Sequence, residues 1–368
     1  MVYNNDKRIV MTLDAGGTNF VFSAVQGNKE IVAPISLKAF PNDLRKCLNS
    51  LKMGFHKVFA QLSRPPVAIS FAFPGPADYT NGIIGDLPNF PSFRGGVALG
   101  PMLQEEFKIP VFINNDGSLF ALGEALAGAL PEINSLLAKQ GNPKRFGNIA
   151  GLTLGTGFGG GIVVNNELLV GDNGCGGDVW IFRNKKHPDY FVEESVSKRA
   201  VKRVYKQLSG DQTNLTAEEI YRIAQEQLVG DKEAAISAFQ ELGEMAGDAI
   251  SHVATIVDGI IVIGGGLSGA HKYILPSIVK ELNSHLQSFS GESYPRLQAK
   301  AYNLSQQEQL TEFLNVKGTE IPVPGTDKTV PYISQKTIGV MVSKLGASKA
   351  VSIGAYVFAL QKIDGIAK

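Results

Sequence analysis

The sequence predicts an α/β protein made of two related halves that face one another across a cleft. Two stretches carry this expectation. Arg8 to Leu13 reads as a buried strand that passes through Asp14-Ala15-Gly16-Gly17-Thr18-Asn19 into a second apolar run, Phe20 to Val25. Gly151 to Gly161 repeats that design, with Gly155-Thr156-Gly157 between a strand pattern and the continuing strand Ile162-Val163-Val164. A third observation is that each hairpin opens a segment in which strand-length apolar runs alternate with helical patterns, the arrangement of layered α/β folds.

A glycine hairpin tip exposes backbone N–H groups, which bind phosphate oxygens when no side chain blocks the approach. Asp14 stands where a magnesium ion, held through water, could sit beside those phosphates. An ordinary hairpin turn accounts for the same residues. Gly155, Gly157 and Gly160 also match the G-x-G-x-x-G spacing of dinucleotide sites, but that fingerprint requires a helix where Ile162-Val163-Val164 continues as strand.

Between the hairpins, Leu44, Leu48, Leu51, Phe55, Val58 and Leu62 recur at helical spacing in Asn42 to Leu62. Pro66 to Phe73 is a strand ended by Pro74-Gly75-Pro76. A proline- and glycine-rich loop from Asp78 through Asn89-Phe90-Pro91-Ser92-Phe93-Arg94-Gly95 is long enough to carry a binding surface. A short helix, Val97 to Phe107, leads to the strand Pro110-Val111-Phe112-Ile113 and then to Asn114-Asn115-Asp116-Gly117-Ser118 before an alanine-rich helical pattern through Ala129. A carboxylate at the junction of a buried strand and a helix is oriented by fixed backbone and can face a cleft as a general base. Asp116 is therefore the candidate base. The competing reading is that Asp116 and Ser118 cap the helix.

Beyond Asp178 the pattern is mostly helical, over Val192 to Leu208, Thr216 to Leu228 and Asp231 to Val257. A strand, Gly259 to Ile263, then runs into Gly264-Gly265-Gly266-Leu267-Ser268-Gly269 and a helix from about His271 to Leu286. Here strand, glycines and helix do fit a dinucleotide site, but the next strand, Arg296 to Tyr302, ends in Asn303-Leu304 without an acid for a ribose diol. An adenosine packed on the glycine turn, or close helix–strand packing, explains it more simply. Ser305 to about Thr337 reads as a polar, proline-containing insertion with weak strand patterns and without an assigned role. The final helix, Ala347 to Leu360, returns to the first half. The expected domains are 1–114 with about 348–368, and 115–347.

Composition excludes several classes. Of 368 residues 44% are hydrophobic, enough for the cores of two domains. Thirty-five basic against 34 acidic residues leave a net charge of +1, and no long basic run offers to neutralise nucleic-acid phosphates or a membrane surface. Only Cys47 and Cys175 are present, which argues against a disulfide framework or a four-thiolate metal site. No stretch reads as a secretory signal core or a membrane span, so a cytoplasmic protein is expected.

Taken in order, Asp14-Ala15-Gly16-Gly17-Thr18, Pro74-Gly75, Asn89 to Gly95, Asn115-Asp116, Leu154-Gly155-Thr156-Gly157, Gly264-Gly265-Gly266 and Gly354-Ala355 resemble the ROK family of sugar kinases and sugar-responsive regulators over nearly the whole chain. The resemblance implies two actin-like, ribonuclease H-like α/β domains and ATP-dependent phosphorylation of a hexose, glucose or a close relative, at the 6-hydroxyl. It implies Asp116 as base, with Gly75, Asn89, Asn115, Asp178 and Glu193 beside the sugar. Asp14, Gly16, Gly17, Thr18, Asn19, Gly155, Thr156 and Gly157 would hold the ATP phosphates and magnesium, and Gly265 and Gly266 the adenosine. A homodimer is expected on the same ground.

Two departures stand out. Family members carry Ala-Gly-Glu-x-Gly-His, then a cysteine-rich zinc loop, then Leu-Glu and a Ser. The matching positions here are Gly176 to Ile181, then Val192-Glu193 and Ser197. Ile181 replaces the histidine and can neither hydrogen-bond nor ligate a metal, and the zinc cysteines are missing, so no structural zinc is expected. The alternative function is a catalytically weak or inactive sugar-binding sensor. A DNA-binding regulator is disfavoured because no helix-turn-helix fits before Asp14.

Overall fold

The protein is described by a computed structural model covering residues 2–75, 77–87, 90–316 and 318–366. Asn89, one of the expected sugar-site residues, lies outside the described residues. The chain forms two compact units, Met1–Pro131 with Gly161–Gly177 and Lys344–Lys368, and Glu132–Gly160 with Asp178–Ser343.

In the first unit, β1 (Val10–Ala15) and β2 (Asn19–Gln26) form the glycine hairpin, paired antiparallel from Val10↔Val25 to Ala15↔Phe20. On its other side β1 runs parallel to a strand at Ala68–Ala72, which runs parallel to one at Val111–Asn114. Between them in sequence, α1 (Leu44–Phe59) starts where Asp43 accepts a hydrogen bond from the Lys46 N–H. It buries Cys47, Leu51, Phe55 and Val58 on the sheet. Its Gly54 lies where a Cβ would collide with the Phe22 ring, so helix and sheet meet more closely than any other residue allows. We label Ala68–Ala72 β3 and Val111–Asn114 β4.

The opposite face of this sheet is covered by the C-terminal helix, Ala347–Ile366, and α2 (Asp116–Leu126) packs on that helix. These two helices touch backbone to backbone. A Cβ on Gly123 would lie against the Ala350 carbonyl, and one on Gly354 against the Leu119 carbonyl. Glu124, fully buried, accepts the Ala129 N–H at 2.8 Å and the Leu345 N–H at 3.0 Å, tying the end of α2 to the start of the C-terminal helix. At the far end, Arg8 pairs with Asp364 at 2.6 Å and Tyr356 accepts the Gly27 N–H at 3.0 Å.

The second glycine hairpin is formed by β5 (Ile149–Leu154), in the second unit, and β6 (Phe158–Val164), which belongs to the second unit as far as Gly160 and to the first from Gly161. Helices α3 (Lys198–Ser209), α4 (Ala217–Ala224) and α5 (Lys232–Val257) follow. Then come β7 (Ile260–Gly264), α6 (His271–Leu282), β8 (Lys300–Asn303) and β9 (Thr337–Val342). Strand β7 lies between β5 and β9, with β8 outermost, and these four are parallel.

Several element boundaries differ from the sequence expectation. The helix read from Val192 begins only at Lys198, after a 3-10 turn at Val192–Glu194. The helix read to Leu286 ends at Leu282, and Leu286 lies in a two-stranded hairpin, His285–Gln287 with Ser293–Pro295. The stretch from Ser305 holds a helix, Gln307–Leu314, and a hairpin, Thr319–Pro322 with Thr329–Tyr332. That helix buries only Phe313 and Leu314, too little apolar pattern to stand out. No helix among the described residues is long and apolar enough to cross a membrane.

Gly354→Ala should lower stability by about 3 kcal/mol through overpacking of a close-packed interface, and the thermal midpoint by on the order of 5 °C. An unchanged midpoint in calorimetry would show that the two helices can separate freely.

Candidate functional site

Strands β1, β3 and β4 are parallel, so their carboxyl ends lie together at one end of the first unit's sheet. Ligands of open α/β sheets bind at such ends. Asp14 stands near the end of β1, Ala72 and Phe73 end β3, and Asp116 follows β4. Asp14, Phe73, Pro74, Asp116 and Ser348 line one cavity of about 200 Å3 there.

The placement of Asp116 is built by its neighbours. Asn114, buried, accepts the Asn115 N–H at 2.8 Å and turns the chain out of the strand. Asn115, in extended conformation, is the N-cap of α2: its Oδ1 accepts the Gly117 N–H at 2.8 Å. The N-cap that the competing reading gave to Asp116 and Ser118 therefore belongs to Asn115, although Asp116 also accepts a first-turn N–H. Asp116 is the first helical residue, and its Oδ1 also accepts the Gly117 N–H, at 2.9 Å. Its Oδ2 has no hydrogen-bond partner among the described residues, and the side chain is exposed. Gly161 allows the chain beyond β6's midpoint to pass within touching distance of this turn; a Cβ there would stand 2.5 Å from the Gly117 carbonyl.

Asp14 opens on the same cavity and stays exposed to solvent, yet the protein around its carboxyl removes part of its hydration. That desolvation, with the negative charge of Asp116 second, raises its carboxyl above the usual range. The tip residues Gly16, Gly17, Thr18 and Asn19 are exposed, with nothing within 4 Å of a Cβ built on Gly17. Gly75 follows the cavity wall without lining it; a Cβ there would stand 2.9 Å from the Tyr79 hydroxyl, which itself donates to the Phe73 carbonyl at 2.9 Å.

In the second unit the hairpin tip is closed by the Gly155 N–H donating to the Gly157 carbonyl at 3.0 Å. Glu193 braces it: Oε2 accepts the Phe158 N–H at 3.0 Å, and a Cβ on Gly157 would collide with that same oxygen. Arg199 pairs with Glu193 at 3.3 Å and Glu194 at 3.0 Å. Gly265, at φ +83°, crosses Leu154 so closely that a Cβ would strike its carbonyl. The two glycine loops thus lie side by side, and the Lys198 N–H bonds the Gly155 carbonyl at 2.8 Å. The Lys198 ammonium stands 3.6 Å from a Cβ built on Gly266. Lys198, Lys202, Tyr221, Phe239 and Gly266 line a cavity of about 580 Å3.

Lys198 was not marked by the sequence reading. Its only local signal is the basic opening of α3, Lys198-Arg199-Ala200-Val201-Lys202-Arg203. Asp178 opens the 3-10 turn Val179–Ile181, is exposed, and does not cap that turn with its side chain. Ile181 is 60% exposed. Among the described residues no three His, Cys, Asp or Glu side chains converge on a common point, and Cys47 and Cys175 are free thiols.

The model of the ROK family matches residues 10–308. The chain belongs to the ROK family. It is similar to a glucokinase from Parabacteroides distasonis of known structure, 59% identical, with 98% of this chain and 99% of that one aligned at a TM-score of 0.90. Among curated relatives it is 27% identical over 300 residues to the glucokinase of Thermotoga maritima, covering 73% of this chain and 88% of that one. It is 26% identical over 328 residues to an N-acetyl-D-glucosamine kinase of Vibrio cholerae, covering 83% and 98%. This ROK chain is a sugar kinase with the actin-like ATPase fold.

The shifted Asp14 makes the ROK fold's stability depend on pH. The folded chain keeps the Asp14 proton to higher pH than the unfolded chain does, so between the two titrations stability falls as pH rises, and the cost is complete above both. Asp14→Asn should therefore melt above wild type at neutral pH, and the gap should close on acidification below the usual carboxylate range. Thermal melts from about pH 3 to pH 8 decide it, and a gap independent of pH would mean that ionisation is not the cause.

Proposed function

We propose that this chain transfers the γ-phosphoryl group of ATP to the 6-hydroxyl of a hexose, with glucose the favoured acceptor. The acceptor is inferred from the likeness to the P. distasonis glucokinase. The observation that carries the mechanism is the pair Asp14 and Asp116 opening on one cavity at the carboxyl ends of parallel strands, with one Asp116 oxygen unpartnered. Phosphoryl transfer to a sugar asks for a base within reach of the hydroxyl and for charge neutralisation, and little covalent chemistry.

In this reading Asp116 accepts the hydroxyl proton through Oδ2, while the Gly117 N–H fixes Oδ1. Asn115 has its Oδ1 engaged by the cap and presents its amide N–H groups to sugar hydroxyls. Gly75, Asp178 and Glu193 complete the sugar-side set; Glu193, braced on Phe158 and Arg199, keeps spare lone pairs for a hydroxyl. Gly16, Gly17, Thr18 and Asn19 in the first unit, and Gly155, Thr156 and Gly157 in the second, offer backbone donors to phosphate oxygens. Gly265 and Gly266 receive the adenosine, with Lys198 beside them.

Magnesium suits Asp14, a partly desolvated carboxylate whose raised pKa a cation would reverse. Two carboxylates without a third ligand fit a largely hydrated ion, which would neutralise phosphate charge when bound. A structural zinc has no role in this reading.

Asp116→Asn should reduce sugar-dependent ADP release by on the order of a thousandfold, the range of general-base loss, while calorimetry shows sugar affinity little changed. Turnover at the wild-type rate would remove Asp116 as base. A panel of glucose, mannose, fructose, glucosamine, N-acetylglucosamine and N-acetylmannosamine names the acceptor. Lys198→Ala should raise KM for ATP about tenfold and leave KM for the sugar unchanged, the split expected when a donor-side cation is lost; a rise in the sugar KM alone would place Lys198 elsewhere.

A further inference from the structure

A second cavity of the first unit, about 510 Å3, adjoins the Asp116 cavity and shares Asp14, Ser348 and Val351 with it, but is not lined by Asp116 itself. It lies between the sheet and the opening turns of the C-terminal helix. The register of β1 and β2 pairs Thr12 with Ser23, which places both side chains on the sheet face beneath that helix. Ser352 enters from the helix, and Asn28 from the tight turn after β2, where it adopts φ +62°.

Among the described residues, six buried side-chain nitrogen or oxygen atoms have no hydrogen-bond partner, and three of them line this one cavity: Ser23 Oγ, Asn28 Oδ1 and Ser352 Oγ. Ser23 is 5% exposed and Asn28 7%. Asn28 is not free to turn, because its Nδ2 donates to the Val2 carbonyl at 2.9 Å, which leaves the oxygen facing inward. Buried polar atoms of folded proteins are nearly always bonded, so three orphans converging on one cavity from sheet, turn and helix mark a place built for a polar guest.

The donor and acceptor types narrow that guest. Asn28 Oδ1 and the Asp14 carboxylate can only accept. Ser23, Ser352 and Thr12 both donate and accept, and exposed Lys29 and Lys349 offer cationic donors at the mouth. An apolar compound would satisfy none of these, and a bare anion would satisfy the lysines while opposing Asp14, Asn28 and Glu30, which also lines the mouth. A compound with several hydroxyl groups serves every member of the set. The cavity also falls in the size range of small-molecule sites, roughly 300–1,000 Å3.

We propose that this cavity is a second binding site, distinct from the Asp116 cavity, for a small polyhydroxylated compound of monosaccharide size. Its source is either a free hexose or a hexose phosphate, whose phosphate the lysines at the mouth would receive. Because the site borders Asp14, occupancy there touches the carboxylate that the phosphoryl-transfer reading assigns to magnesium.

The test is calorimetric titration of the full chain with glucose and, separately, glucose 6-phosphate, in wild type and in Ser23→Val/Ser352→Val. Those substitutions remove two of the orphan hydroxyls and leave Asp14, Asn115 and Asp116 in place. For at least one of the two compounds, wild type should bind one equivalent more than the variant. A soaked crystal should show that compound within hydrogen-bond distance of Asn28 Oδ1. Ser352→Val alone serves if the double variant does not fold, since it changes a single helix position. Equal stoichiometry in wild type and variant for both compounds, or a crystal with only water at Ser23, Asn28 and Ser352, overturns the proposal. A chain that binds the extra equivalent yet never turns over ATP would leave this site standing and defeat the kinase reading alone.

Discussion

The contact on which the first unit depends is the glycine-mediated meeting of α2 with the C-terminal helix. Residues some 230 positions apart in sequence are brought backbone to backbone, Gly123 against Ala350 and Gly354 against Leu119. Buried Glu124 closes the arrangement by accepting N–H groups from both sides. A buried carboxylate is costly unless fully bonded, and here two backbone donors meet it. The consequence reaches the chemistry: the first turn of α2 carries Asp116, the first turns of the C-terminal helix carry Ser348 and Ser352, and their relative position is set by this contact. A side chain at either glycine would displace both cavities.

The same unit places two like charges on the cavity that the proposed phosphoryl transfer would use. Asp14 and Asp116 are like charges on one small cavity, and the fold holds Asp14 above its ordinary pKa rather than pairing it with a cation of its own. A surface optimised for stability would place a lysine or arginine there. Lys29 and Lys349 stand instead at the mouth of the neighbouring cavity. Uncompensated acids at strand ends fit a site that awaits a positive partner, and they weaken the fold as the usual cost of a prepared site.

Much of this was legible in the sequence because it is local. Two glycine hairpins could be read from strand, glycine, strand order, since the register of a short hairpin follows from its turn. Asp116 could be singled out from its position between an apolar run and a helix. The competing cap reading names Asp116 where the structure has Asn115, because both are good N-caps and only the backbone conformation decides between them. The helix Gln307–Leu314 was missed for want of apolar periodicity. Lys198 carries little local signal for a different reason: it stands against Gly266, on a strand-to-helix turn that follows the whole of α3, α4 and α5. Pairings of that span are tertiary facts. No spacing rule within one segment can announce them.

The second unit shows why its glycines cannot be read as mere flexibility. At Gly157 a Cβ would occupy the place of the Glu193 carboxylate, and at Gly265 the place of the Leu154 carbonyl. Removing two side chains lets a strand turn, a helix-preceding loop and an acid share one small volume. The acid then bonds the backbone of the hairpin, at Phe158, rather than solvent, and Arg199 holds it from the other side. Glu193 is thus a positioning residue for the hairpin whatever else it touches. The loss of Glu193 would therefore loosen Gly155 to Gly157 itself, because the hairpin's Phe158 N–H and the space left at Gly157 are both matched to its carboxylate.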